Sequence, residues 1–410
     1  MDILYSCCCG LDIHKRTVTA CLIDRDSKGR SRKEVRTFGT MTDELLALAD
    51  WLGAAACTHV AMESTGVYWK PIYNLLEANF TLLLVNAQHI KAVPGRKTDT
   101  RDCEWIADLL QHGLLRGSFV PTREQRELRE LVRYRTALVR ERADEVNRLQ
   151  KTLEGANIKL ASVATDIMGK SGRAMLAALI DGTTDPATMA ALAKGRLREK
   201  REELTRALDG RIAPHQRFLL VEQLSHIDTL EEAIERVSAE IARRMEPCAA
   251  QLAALDTIPG VSQRVAEILI AEIGTEMTQF PSAHHLASWA GMCPGNNESA
   301  GKRKSGKTRK GNPWLRSILV EAARAAAHTK GTYLSAQYHR LARRRGSKRA
   351  AVAVGHTILV IAYHLLKEGT TYTDLGGDYF DRRDRQAVER RLVHRLEGLG
   401  YKVSLEPVAA

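Results

Sequence analysis

The chain has 410 residues, 44% hydrophobic and 27% charged, a composition that can bury a core in each of two or three domains and excludes wholesale disorder. Its formal charge of +12 favours a polyanionic partner, the more so because basic residues heavily outnumber acidic ones between Lys302 and Arg349, where Glu321 is a rare exception. No run approaches the ~20 consecutive apolar residues of a membrane span, and no basic segment precedes an apolar one at the N-terminus. The expectation is a cytoplasmic protein without a membrane partner and with its cysteines reduced.

Alternation of apolar and polar residues predicts strands over 7–13 and 17–24, joined by a His14-Lys15-Arg16 turn, and a third over 34–38 after the polar turn Asp26-Ser27-Lys28-Gly29. Cys7, Cys8 and Cys9 read as small residues of a buried strand, because no second Cys/His pair stands at zinc-finger spacing. Thr42 is expected to cap a helix whose apolar face is Leu45, Leu46, Leu48, Ala49 and Leu52. A strand over 59–63, a helix over 67–78, a strand over 81–85 and a helix from about Thr100 to His112 follow. This order suits an α/β sheet layered with helices.

From Arg123 onward the signal is helical. Val132, Val139, Val146 and Leu153 recur every seventh residue, and the companion stripe Leu128, Arg135, Arg142, Leu149 is interrupted by two arginines. After a Gly/Ala/Thr-rich interval, Leu220, Ile227, Ile234 and Ile241 repeat at the same period, which reads as an antiparallel helical pair, an oligomerisation arm or an intramolecular bundle. Residues 255–266, Leu-Asp-Thr-Ile-Pro-Gly-Val-Ser-Gln-Arg-Val-Ala, have the form helix, Pro-Gly turn, helix. Gly260 permits the turn, and the following helix offers backbone N–H groups to a phosphate. Beyond lie a basic loop, helices over 315–328 and 352–366, and a small charged segment over 370–410.

Carboxylates occupy the ends of the α/β elements. Asp12 lies on the first strand, Glu63 ends the fourth, and Asp99 and Asp102, three residues apart, open the last helix. Four acids in one pocket repel one another unless a divalent cation neutralises them, and hard oxygen ligands favour Mg²⁺ or Mn²⁺. Two such ions would stabilise the attacking and leaving oxygens of a phosphoryl displacement.

Gly-Leu-Asp-Ile-His-Lys, Met-Glu-Ser-Thr-Gly-Val-Tyr-Trp, Lys-Thr-Asp-Thr-Arg-Asp, Ile-Pro-Gly-Val, and Ser299-Ala300-Gly301 followed by Arg-Lys-Gly-Asn occur in that order over nearly the whole chain. Together they resemble the DEDD transposases of bacterial insertion sequences, the family numbered one-ten. The resemblance implies an α/β plus α architecture. Residues 1–122 would form a ribonuclease-H/RuvC-like catalytic domain, 123–250 a helical coiled-coil region, 251–345 a helix-hairpin-helix transposase domain with serine and basic loop, and 346–410 a C-terminal helical extension.

It further implies a bacterial, nucleoid-associated recombinase, a dimer or tetramer, acting on donor and target DNA under the guidance of a structured non-coding bridge RNA. Asp12, Glu63, Asp99 and Asp102 would hold the metal, and Ser299 would be the nucleophile, contributed in some members by a different subunit from the acids. The family often has Ser-Gly where this chain has Ser299-Ala300, and Ser305 stands six residues on. Gly260, Lys302, Arg303, Lys304, Lys307, Arg309, Lys310 and Arg316 would meet nucleic-acid phosphates, giving salt-dependent affinity.

Three other readings are open to the same residues. A RuvC-like Holliday-junction nuclease would use the tetrad with water as nucleophile, and a non-catalytic nucleic-acid-binding protein would use only the Pro-Gly turn and the basic loop. Residues 301–308 also satisfy the P-loop pattern G-x-x-x-x-G-K-S/T. A working P-loop follows a buried strand and starts a helix, whereas here turn residues precede the match and Gly311-Asn312-Pro313 follows it.

Overall fold

The computed structural model describes residues 3–25, 30–64, 66–86, 102–295 and 297–406, with the backbone alone at 297–299, 303 and 304. The polar turn at 26–29 and Asp99 and Thr100 therefore lie outside the described residues. The chain divides into two units, Met1–Arg123 and Glu124–Ala410.

The first unit is built on a five-stranded sheet in the order β3-β2-β1-β4-β5. Its strands are β1 (Cys7–Ile13), β2 (Thr17–Arg25), β3 (Ser31–Gly39), β4 (His59–Glu63) and β5 (Thr81–Val85). The strands β1, β2 and β3 are antiparallel neighbours, whereas β4 runs parallel to both β1 and β5. Because β1 is central, its alternate residues feed two cores. Cys7, Cys9, Leu11 and Ile13 pack with Leu45, Leu48 and Leu52 of α1 (Thr42–Ala54) and with Ile72 and Leu76 of α2 (Trp69–Leu76). Cys8, on the opposite face, packs with Cys103, Ile106 and Leu110 of α3 (Asp102–Gln111).

Burial raises the thiol pKa values, Cys8 to about 12 and Cys9 well above the usual value, so both behave as small apolar residues. Three local expectations change. The residue preceding α1 is Met41, with no side-chain cap, and Thr42 is the first helical residue. The second helix begins two residues later than the sequence pattern suggests, and β3 is longer at both ends.

In the second unit α4 (Arg123–Gly155) and α9 (Pro214–Met245) form the antiparallel pair. Arg142 donates to Glu231 at 2.8 Å, and Leu138 packs with Leu230 and Ile234. The Gly/Ala/Thr-rich interval between them is a cluster of short helices, α5 (Leu160–Val163), α6 (Lys170–Ile180), α7 (Pro186–Ala191) and α8 (Arg201–Leu208). They share a core with Leu149, Leu153, Leu220 and Ile227 at the tip of the pair. The two arginines in the α4 stripe are explained by their partners: Arg142 meets Glu231, and Arg135 pairs with the buried Glu267 at 2.6 Å.

The rest of the unit comprises α10 (Ala249–Asp256), α11 (Gln263–Ile273), α12 (Ala283–Trp289), the hairpin strands β6 (Asn297–Ser299) and β7 (Lys302–Ser305), then α13 (Pro313–His328), α14 (Tyr333–Arg345) and α15 (Ser347–Glu368). Sequence pattern missed α14. It also placed α15 in a C-terminal extension, whereas α15 packs against α10, α12, α13 and α14. Contrary to the sequence expectation, α15 is long and apolar enough by composition to cross a membrane, and half of its apolar stretch is buried inside this unit. The last segment holds α16 (Tyr379–Arg383) and α17 (Arg385–Glu397), neither of which has a buried residue.

Gly10 sets how near α3 comes to the sheet. A Cβ there would stand 2.4 Å from both the Ala107 nitrogen and the Cys103 carbonyl oxygen, which are backbone atoms that cannot rotate away. Gly10→Ala is expected to lift α3 off β1 and to destabilise the first unit by about 2 kcal/mol or more, read from its urea midpoint.

Candidate active site and nucleic-acid interface

The acids of the first unit are placed by strand register. Leu11 of β1 stands beside Met62 of β4, so Asp12 and Glu63, one residue on in parallel neighbours, are level with each other. Leu11 and Met62 belong to the core beneath α1 and α2, and therefore Asp12 and Glu63 point to the α3 side. Asp102 is the first residue of α3. The Cys103 thiol is raised by burial first, then by Glu104, with a further push from Asp12, so Asp12 faces the first turn of that helix.

Three of the four predicted acids thus share one face and one end of the sheet, and the fourth, Asp99, lies outside the described residues. Asp12 Oδ2 lies 3.3 Å from His14 Nε2, a neighbour not anticipated from the sequence. Carboxylate oxygens fit a hard dication in kind. Among the described residues, however, no three His, Cys, Asp or Glu side chains stand close enough to hold one ion.

Ser299 ends β6 at the tip of a hairpin arm. Its backbone pairs with Lys302 across a two-residue turn whose residues Ala300 and Gly301 have φ of 51° and 72°. Two positive φ values are what a type I′ turn requires. An alanine in that region costs roughly 1 kcal/mol relative to glycine. The P-loop match at 301–308 therefore covers half of a turn, strand β7 and the strand's exit, with no helix before Pro313. The arm continues below β6 and β7: Gly295 N–H donates to the Lys307 carbonyl at 3.0 Å, and Pro294 bridges Thr308. At its root Gly311 and Gly291 touch through backbone, where a Cβ on Gly311 would be 2.3 Å from the Gly291 nitrogen.

Beside the arm is a groove of about 1100 Å³ lined by Lys307, Arg316, Arg344, Arg345, Lys348 and Arg349, and by no carboxylate among the described residues. The last four flank Gly346, where α14 turns into α15. Lys348 and Arg349 stand at the N-terminal end of α15, against the helix dipole, an arrangement an anion would relieve. These four cations were not singled out in the sequence, because only the α14–α15 corner brings them beside Lys307 and Arg316. Of the others named, Lys302, Arg309 and Lys310 are exposed on the arm.

The Pro-Gly turn at 259–260 does connect two helices, α10 and α11, and Ser262, Gln263 and Arg264 at the start of α11 are exposed. Gly260 itself has a second role. A Cβ on it would stand 2.3 Å from the Ala322 carbonyl oxygen, so its bareness also serves the packing of α13.

Comparison with known proteins falls on both of these regions. A family model described as transposase (DEDD_Tnp_IS110) matches residues 9–158, and one for the transposase IS116/IS110/IS902 family matches residues 252–339. A probable family 20 transposase of Pseudomonas aeruginosa is 26% identical over 372 residues, covering 88% of this chain and 97% of that protein. The transposase for insertion sequence element IS1111A of Coxiella burnetii is 26% identical over 70% of this chain and 72% of its own length. A putative transposase of Sinorhizobium fredii is 27% identical over 78% of this chain and 76% of its own. The site regions thus define the class, a transposase, which is a DNA-processing enzyme. Within that class the chain belongs to the IS110 family.

Two expectations follow from the groove. Substituting Arg344, Arg345, Lys348 and Arg349 together by glutamine should lower the slope of log affinity against log salt by about 3 to 4, as expected at about 0.9 per lost phosphate contact on duplex DNA. His356, which also lines the groove, has its pKa lowered by burial first and by His284 second. The folded chain therefore takes up this proton less readily than the unfolded chain, so the stability is intact above about 6.5 and falls as pH drops toward the lowered value. The loss of melting temperature between pH 7.5 and 5.5 should be smaller in His356→Gln.

Proposed function

We propose that this transposase cuts and rejoins DNA by transferring a phosphoryl group onto Ser299, with the acids Asp12, Glu63, Asp99 and Asp102 holding Mg²⁺ or Mn²⁺, and that a structured bridge RNA selects the donor and target DNA. The reading is carried by one observation: Asp12, Glu63 and the first residue of α3 share a face and an end of the sheet. The strand order, with three antiparallel strands followed by two parallel ones, supports a ribonuclease-H/RuvC-like first unit. The turn between α10 and α11 supports a helix-hairpin-helix that meets a phosphate with backbone N–H groups.

In the cutting step Ser299 Oγ attacks the scissile phosphorus. A P–Oγ bond forms, the P–O3′ bond breaks, the serine proton leaves to a base and the 3′-oxygen takes up a proton. Rejoining reverses this with a 3′-hydroxyl of another strand, so the phosphodiester energy is conserved and ATP is not required. When bound, the metal supplies Lewis-acid stabilisation of the charge that develops on the phosphoryl and leaving oxygens. The chain's own part is to aim Ser299 with the arm and to hold phosphates with Lys302, Arg303, Lys304, Lys307, Arg309, Lys310, Arg316 and the four cations of the α14–α15 corner. Among the described residues no Phe, Tyr or Trp lines the groove, which favours backbone contact over base stacking and leaves sequence choice to RNA pairing. As the family resemblance implies, the acids and Ser299 that act together can come from different subunits of a dimer or tetramer.

Protein incubated with Mg²⁺, its co-purified RNA and labelled donor and target DNA should give a denaturant-resistant protein–DNA adduct. Ser299→Ala should abolish the adduct and Ser305→Ala should keep it, while Asp12→Asn should slow its formation by about 10³-fold. Free hydrolysed ends without an adduct would replace this reading with the nuclease.

A further inference from the structure

The arm has no core of its own. From Asn297 to Asn312 the only side chain of apolar type is the methyl of Ala300. Its direction must therefore come from its root, and the residue one step beyond the Gly291–Gly311 contact is Asn312. That amide is committed at both ends. Its Oδ1 accepts from the Trp314 and Leu315 N–H groups at 3.1 and 3.2 Å, capping α13, and its Nδ2 donates to Glu272 Oε2 at 2.5 Å. Flipping it would set oxygen against carboxylate and NH₂ against two N–H donors, so one orientation is enforced.

Glu272 is itself completely buried, yet charged groups surround it. Arg133 donates to both its oxygens at 2.7 and 2.8 Å, and Arg129 Nε lies 3.2 Å from Oε2. Arg133 and Arg140 also lie over the Trp314 ring, at 5.8 and 5.2 Å from its centroid. One helix, α4, thus grips the residues on which the arm's returning rail ends.

We propose that Glu272 is a positioning residue for the transfer step: through Asn312 it fixes the direction in which the arm presents Ser299. The catalytic half of this statement rests on Ser299 being the nucleophile, whereas the mechanical half does not. Glu272→Ala is a poor test, because it removes the carboxylate that both Arg129 and Arg133 meet. Asn312→Asp is better. Aspartate caps a helix as well as asparagine does, but it faces Glu272 with a second negative charge. Glu272→Gln combined with Asn312→Asp restores a donor opposite an acceptor and returns the pair to one negative charge, at the cost of setting the new NH₂ against Arg133 Nη2, which in the native chain donates to Oε2 at 2.8 Å.

Hydrogen exchange, DNA affinity and the rate of adduct formation at saturating DNA are measured for the full chain and both variants, with melting temperature as the check on folding. In Asn312→Asp, exchange at Gly295 and along β7 should quicken by about tenfold or more, and the adduct rate should fall roughly 10- to 100-fold. The DNA dissociation constant should change by less than about threefold, since the arm's cations are untouched. The double variant should exchange more slowly and form the adduct faster than Asn312→Asp, each by about threefold or more. Unchanged exchange in Asn312→Asp, or a double variant no better than the single one, overturns the proposal. A wild-type chain that forms no adduct removes the Ser299 reading, and exchange then decides the attachment of the arm by itself.

Discussion

Taking the Glu272 carboxylate out of water costs several kcal/mol unless cations accompany it, and much of the second unit is arranged to supply them. Arg129 and Arg133 are one helical turn apart on α4, so both reach the end of α11 only if α4 crosses there. Arg129 also donates to the Ala271 and Glu272 carbonyls, placing a cation at a helix C-terminus. Burial lowers the Arg129 pKa to about 10, with Glu272 opposing that shift, so it remains a cation at neutral pH. Two residues past Arg133 on α4, Arg135 meets Glu267, whose other oxygen accepts from Gln263 at 3.1 Å. A purely apolar α4 stripe would pack against α9 but would leave both glutamates of α11 uncompensated. Such buried pairs add little net stability over apolar packing, yet they select one register out of several that a plain heptad seam would tolerate.

The sheet was legible because its central strands are short, apolar and separated by polar turns, so four of the five strands lie within a residue of where alternation puts them. Asp12 and Glu63 were legible for the same reason, being the acids that end apolar runs. The interval between α4 and α9 was not, because helices as short as α5 and α7 contain too few turns to show a period, and their small residues blur it further. The helix α14 was missed because it buries little and ends in three arginines. Glu267 and Glu272 carried a usable signal that went unread: two acids inside the otherwise apolar stretch Val265–Ile273 demand cationic partners, and α4 supplies them, Arg135 of the interrupted stripe for Glu267 and Arg129 and Arg133 for Glu272.

The P-loop coincidence has a physical cause. Glycine and lysine recur wherever backbone and charge must approach phosphate, and the pattern counts residues without asking which dihedrals they adopt. In a P-loop the glycines curl the chain around one nucleotide. Here Gly301 turns a hairpin, and Gly306 separates β7 from the lower rails of the arm. The same letters therefore build a projecting arm in place of a cradle.

The α4–α9 pair also acts as a lever. Thirty-three residues of helix span on the order of 50 Å, with the short-helix cluster at one end and the Arg129, Arg133 and Arg135 contacts near the other. At that length a tilt of about 5° at the root moves the tip by roughly 4 Å, more than a hydrogen bond can stretch. A loosely packed root would leave whatever the tip touches poorly aimed. Short, directional ion pairs resist such tilting better than aliphatic contacts, which slide at little cost. The charges of α4 at its root thus give the rod stiffness in angle, a property that stability measurements alone would not reveal.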